Sequence, residues 1–121
     1  MVLPLTSLDE LTVALERSFT RPILLFKHSS RCGTSAMANE EVHDLLAGAP
    51  LGADVYVIHI QAHRDVSDAV ARLLGVRHES PQVLLVRDGT VRWNASHFRV
   101  TADGIRRVVE SLAQAPEPTT W

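Results

Sequence analysis

The sequence is short of the features that mark several protein classes. It has one cysteine in 121 residues. No disulfide can therefore close within the chain, which excludes a stapled secreted scaffold and fits a reducing cytoplasm. Aromatic residues make up only 5%, so Leu, Val, Ile and Ala must build the core. No apolar run approaches the roughly 18 residues of a membrane span. Neither sign of charge dominates, since twelve Lys and Arg face fourteen Asp and Glu for a formal net charge of −2. That balance lacks the broad basic field that nucleic acid or an anionic membrane would need, and neither partner is expected. The opening MVLPLTSLDE has no basic stretch followed by an apolar one, so no secretory leader is expected. What remains, 45% hydrophobic and 21% charged, has the composition of a folded globular chain.

Periodicity divides the chain into alternating helices and strands. Ser7-Leu8-Asp9-Glu10 has the spacing of a capping box, and Leu8, Leu11 and Leu15 recur on one face, predicting a helix from about Leu8 to Ser18. Arg21-Pro22 breaks it. Ile23-Leu24-Leu25-Phe26 is continuously apolar, as suits a strand covered on both faces. Lys27 to Ser35 reads as a polar loop, and Ala36 to Leu46 as a helix with Met37, Leu45 and Leu46 turned inward, ended by Gly48 and Pro50. Val55 to Ile60 is a second strand. Asp65 is placed to cap a helix carrying Val66, Ala69, Val70, Leu73 and Leu74, with Gly75 as its stop. Gln82 to Val86 is a third strand, Asp88-Gly89 a hairpin turn and Thr90 to Trp93 the returning strand. Thr101 would cap a last helix bearing Ile105, Val108, Val109 and Leu112. The order α-β-α-β-α-β-β-α predicts an α/β fold with a mixed four-stranded sheet flanked by helices. One domain over residues 1–115 is expected, with a flexible C-terminal tail over 116–121.

The lone cysteine, Cys32, falls at the first strand-to-helix turn. Unpaired N–H groups and the helix dipole stabilise an anion there, and Lys27, His28 and Arg31 add positive potential nearby. The thiolate is the reactive form, and such surroundings lower the pKa of about 8.5 of a free cysteine. A lone cysteine is commonly a small buried hydrophobe. Set between Arg31 and Gly33 in a polar loop, Cys32 does not read as core filler. Gly33 would let a ligand approach the backbone, while Thr34 and Ser35 are placed to donate hydrogen bonds to sulfur. Ser80-Pro81 stands immediately before the third strand, where a proline forfeits no ladder bond that is needed.

The order of elements, a cysteine at the first βα turn and a proline before the hairpin resemble the thioredoxin fold. Two stretches, FKHSSRCGTSAMANEE (Phe26 to Glu41) and RHESPQVLLVRDGTVRWNASH (Arg77 to His97), with the spacing between them, carry a narrower match. More narrowly, the chain resembles the monothiol bacilliredoxins of the YtxJ type over roughly residues 7–112. That family usually carries Cys-Pro-x-Ser at the turn, whereas this chain has Cys32-Gly33-Thr34-Ser35. The resemblance implies a thiol-disulfide oxidoreductase that uses one cysteine. Cys32 would remove bacillithiol from protein mixed disulfides through a Cys32–bacillithiol intermediate. Pro81 would be a cis-proline, and Lys27, His28, Arg31, Gly33, Thr34, Ser35, His78, Ser80 and Gln82 would be thiol-binding contacts. It also implies no bound cofactor or metal, bacillithiol as thiol co-substrate, bacillithiolated client proteins as partners and a cytoplasmic location.

Two other classes stay open from the residues. Cys32-Gly33-Thr34-Ser35 also resembles the Cys-Gly-Phe-Ser turn of monothiol glutaredoxins, which implies iron–sulfur cluster binding and transfer. A non-catalytic thioredoxin-fold interaction module with an inert thiol is the third. His59-x3-His63 has the helical spacing of a metal pair, but His59 falls in a predicted strand and nothing completes a ligand set. His78 is a candidate for proton transfer, and Trp93 reads as packing.

Overall fold

The apolar runs form the centre of the molecule. The structure, a computed structural model, describes residues 2–30 and 33–114, with the side chains of Thr34 and Gln114 excepted. In chain order the elements are β1 (Val2–Pro4), α1 (Leu8–Arg17), β2 (Ile23–His28), α2 (Gly33–Ala47), β3 (Asp54–His59), α3 (Arg64–Leu74), β4 (Gln82–Arg87), β5 (Thr90–Ser96) and α4 (Ala102–Gln114), with a 3-10 turn at His97–Arg99. The sheet order is β1-β3-β2-β4-β5. β1, β3 and β2 run parallel, and β4 and β5 are antiparallel additions. Strands β2 and β4 occupy the middle, which explains their unbroken burial from Ile23 to Lys27 and from Gln82 to Val86.

Alternation along β2 divides the core. Leu24 and Phe26 pack with Val42 and Leu45 of α2 and Ile105 and Val109 of α4. Ile23 and Leu25 pack with Leu11 of α1 and Val66 and Val70 of α3. Each fully buried Leu, Ile or Phe contributes about 1.5–3 kcal/mol relative to exposure. The hairpin expected at Asp88-Gly89 is present, with φ of 55° and 74°, the positive pair that a two-residue turn needs.

Several expectations need correction. The sheet has five strands rather than four, because Val2–Pro4 pairs with Val55–Val57 of β3. Three residues ending in proline are too short to show periodicity, and proline is tolerated on an edge. Lys27 and His28 belong to β2 rather than to a loop, and α2 begins at Gly33. Ser7 caps α1 by accepting from Glu10 N (3.1 Å), but the Glu10 carboxylate takes the Thr6 N–H (2.7 Å) instead of closing the box. Asp65 lies inside α3, whose N-cap is His63 without a side-chain cap. Met37, Leu73 and Leu8 are exposed, each on the outer margin of an amphipathic helix. The tail over 116–121 lies outside the described residues. Among those residues no helix is long and apolar enough to cross a membrane.

Candidate functional site

The topology gathers one end of the sheet into a site. β2 and β3 run parallel, so His28 and His59 are partners at their C-terminal ends. β4 starts beside them, with Gln82 opposite Lys27, and β5 ends there, with Ser96 opposite Gln82. Ser29 and Ser30, which leave β2, and the turn before β4 therefore lie at the same end of the sheet, where open α/β sheets commonly bind ligands. Arg31 and Cys32 stand in the chain between Ser30 and Gly33 and lie outside the described residues.

The stem leading to Cys32 is held from two sides. Ser29 N donates to Ser35 Oγ at 3.2 Å, and both residues are buried. From the β3–α3 connection, the Gln61 carboxamide accepts from Ser30 N at 3.3 Å and donates to Ser29 Oγ. Gly33 opens α2, and a Cβ there would meet nothing within 4 Å. Thr34 is in α2, with its side chain outside the described atoms. His28 stacks edge-on to His59, with ring centroids 5.8 Å apart, and tilts on Phe26. Burial and then His59 hold its pKa below the usual imidazole range, while the Ser35 main chain pulls the other way.

Opposite this stem stands the turn Arg77-His78-Glu79-Ser80-Pro81. The Ser80–Pro81 peptide bond is cis, and Pro81 O accepts from His97 N at 3.0 Å. Gln82, almost fully buried, fastens the turn from below: Nε2 donates to Arg77 O (3.0 Å) and Oε1 accepts from Glu79 N (3.4 Å). Ser96 Oγ donates to Glu79 and lowers the pKa of its carboxyl. Two buried polar atoms, His28 Nδ1 and Ser80 Oγ, have no hydrogen-bond partner among the described residues. Buried polar groups are normally satisfied, so such exceptions call for an explanation.

Lys27 and His78 form a pair inside this framework. Lys27 is fully buried, and its Nζ lies 3.1 Å from His78 Nδ1. Burial lowers the lysine pKa to about 8, partly opposed by Asp68. Burial and then Lys27 lower that of His78.

The structure thus brings His28, Ser35, Ser80, Pro81 and Gln82 to one sheet end, with Lys27 directed to His78. It also adds Gln61, Ser29, Glu79 and Ser67, the last with its Oγ 3.4 Å from His78 Nδ1, all of which motif reading missed. For Gln61 the available signal was position alone, since it follows a predicted strand parallel to the cysteine-bearing one. His59 ends β3 and His63 precedes α3. Trp93 is partly buried against the α2/α4 core, as expected of a packing residue.

Comparison with known proteins bears on the fold and the family. A thioredoxin-fold protein described as a candidate oxidoreductase superposes with a TM-score of 0.79 at 28% identity, over 90% of this chain and 93% of that one. A mutant thioredoxin from Halobacterium salinarum NRC-1 superposes with a TM-score of 0.72 at 21% identity, over 95% and 93%. Thioredoxin O2 from Arabidopsis thaliana gives 0.70 at 19% identity, over 92% and 93%. These likenesses show the thioredoxin fold. The family profile described as monothiol bacilliredoxin BrxC matches residues 3–105. The chain therefore belongs to the monothiol bacilliredoxin family of thioredoxin-fold thiol oxidoreductases.

Proposed function

We propose that this protein removes bacillithiol from protein mixed disulfides, with Cys32 as its only redox-active atom source. The supporting observation is the single cysteine of the sequence, placed in the chain between the pinned stem Ser29–Ser30 and the first residue of α2. The Cys32 thiolate attacks the bacillithiol sulfur of the mixed disulfide. A Cys32–bacillithiol disulfide forms, the client sulfur leaves as a thiolate and takes a proton from water, and the client is reduced. No second cysteine can attack the new disulfide. An external thiol must do so, returning Cys32 to its reduced form and becoming oxidised itself. Exchange favours an attacking thiol whose pKa lies near ambient pH.

His28 and Ser80 are offered as polar contacts for the bound thiol, Ser80 because its Oγ is buried without a partner among the described residues. Bacillithiolated proteins are the proposed partners and bacillithiol the co-substrate. The test is release of bacillithiol from a modified client by wild type and Cys32→Ser. Wild type is expected to release it catalytically and the variant only at the uncatalysed rate. Equal release by both would refute the mechanism.

A further inference from the structure

Lysine is seldom fully buried, and burying its charge is costly unless it is hydrogen-bonded. Lys27 is fully buried. The ion pairs among the described residues join Arg17 and Arg21 to Asp54, and Arg87 and Arg92 to Asp88, leaving Lys27 out. Its partner is His78 Nδ1 at 3.1 Å. Ser67 Oγ, on a fully buried residue of α3, is 3.4 Å from the same nitrogen. The uncharged Ile58 and Gln82 flank Lys27 in register. Among the described residues, the charged groups facing the pair are Asp68 and Arg64 of α3 and Glu79 of the turn.

This geometry decides the state of the ring. An ammonium has three donors and no acceptor, so the facing imidazole nitrogen must accept, and a hydroxyl can donate to that nitrogen as well. The proton of the neutral ring then resides on Nε2, the far nitrogen of an exposed residue. His78 lies two residues before Ser80, on the turn that faces the cysteine-bearing stem.

We propose that Lys27 is a positioning residue for the exchange reaction: with Ser67 it holds His78 as the neutral Nε2–H tautomer and ties the turn carrying Ser80 and Pro81 to the sheet. This rests on the exchange reaction proposed above. His78 then presents a fixed N–H donor that hydrogen-bonds the departing thiolate, and no proton is transferred in this role. The ammonium acts only through the ring it orients, on the side of the sheet covered by α1 and α3.

The test combines imidazole nitrogen NMR with exchange rates on a bacillithiolated peptide. In wild type at pH 7, His78 is expected to show an unprotonated Nδ1 and a protonated Nε2. Lys27→Met keeps the stem length without the charge. It should fold, lose this tautomer signature and slow exchange about 10- to 100-fold, the scale on which small misplacements act. Adding Lys27→Met to His78→Ala should cost nothing further, because both changes remove one unit. His78→Gln, which keeps an acceptor for the ammonium, should retain more activity than His78→Ala, and this comparison needs no change at Lys27.

A wild-type proton on Nδ1, full activity in Lys27→Met, an undiminished cost of Lys27→Met in the His78→Ala background, or equal losses in the two His78 variants would each overturn the proposal. A wild type that fails to exchange overturns the reaction itself. That failure is visible before any variant is compared, while the tautomer separately decides the pairing.

Discussion

Lys27 links stability to pH. In the unfolded chain its amine ionises near the ordinary value of 10.5, and in the fold near 8. Below about 8 both states hold the proton, and the native state carries the whole cost of the buried charge. Between about 8 and 10.5 the unfolded chain binds more protons than the native one, so this group makes stability rise with pH. At about 1.4 kcal/mol per pH unit the gain is about 3 kcal/mol. Lys27→Met lacks it and should be the more stable protein at pH 7, because the native state no longer carries a buried charge whose close partner is a neutral imidazole rather than an anion. Urea unfolding of both proteins at pH 7 and pH 10.5 checks this. The advantage of Lys27→Met should shrink by about 3 kcal/mol across that interval, and an unchanged difference would contradict the assignment. No motif pointed to this pairing, which needs β2 to extend past Phe26 and the turn before β4 to fold back over α3.

At the scale of elements, the start of α2 departs from the family's usual Cys-Pro. Gly33 is the first helical residue, and the space where a Cβ would stand is open. The first helical position suits proline, whose missing N–H has no intrahelical partner there. Gly33→Pro should therefore stabilise the protein by about 0.4–1 kcal/mol, chiefly by restricting the unfolded chain. Thermal unfolding should show a Tm raised by a few degrees, and a lowered Tm would show that the turn requires glycine. The helices and central strands were legible because Ile23–Phe26 and Gln82–Val86 are unbroken apolar runs, and because Val66, Ala69 and Val70 repeat at helical spacing. What stayed hidden lacks a period. β1 has three residues and gains its identity only by pairing with β3. The α3 cap was misread because an acidic residue in the first turn resembles an N-cap in sequence, yet Asp65 is already helical. Gln61 reaches Ser29 and Ser30 across 32 and 31 positions of chain, a relation that no local pattern encodes.

At the scale of the molecule, the topology sorts residues that composition only totals, and five of the six histidines fall at one end of the sheet. His28, His59, His63, His78 and His97 lie at the sheet end that carries the site, with Arg64, Arg77 and Arg99, while Asp65, Asp68 and Glu79 are the acids of the same segments. Arg17, Arg21 and Asp54 pair at the opposite end. Composition reports only the total, so this clustering of imidazoles appears once the topology is known. The candidate site was legible in part: Cys32 and Ser80-Pro81 stand out as sequence, whereas the common sheet end of His28 and Pro81 follows from β2 and β4 being neighbours. The central claim is a one-cysteine exchange specific for bacillithiol, and intact mass after treatment with bacillithiol disulfide or, separately, glutathione disulfide tests it most directly. The account predicts a single bacillithiol adduct, lost in Cys32→Ser and discharged by added thiol, with little glutathione adduct. No bacillithiol adduct, or equal adducts with both disulfides, would contradict it.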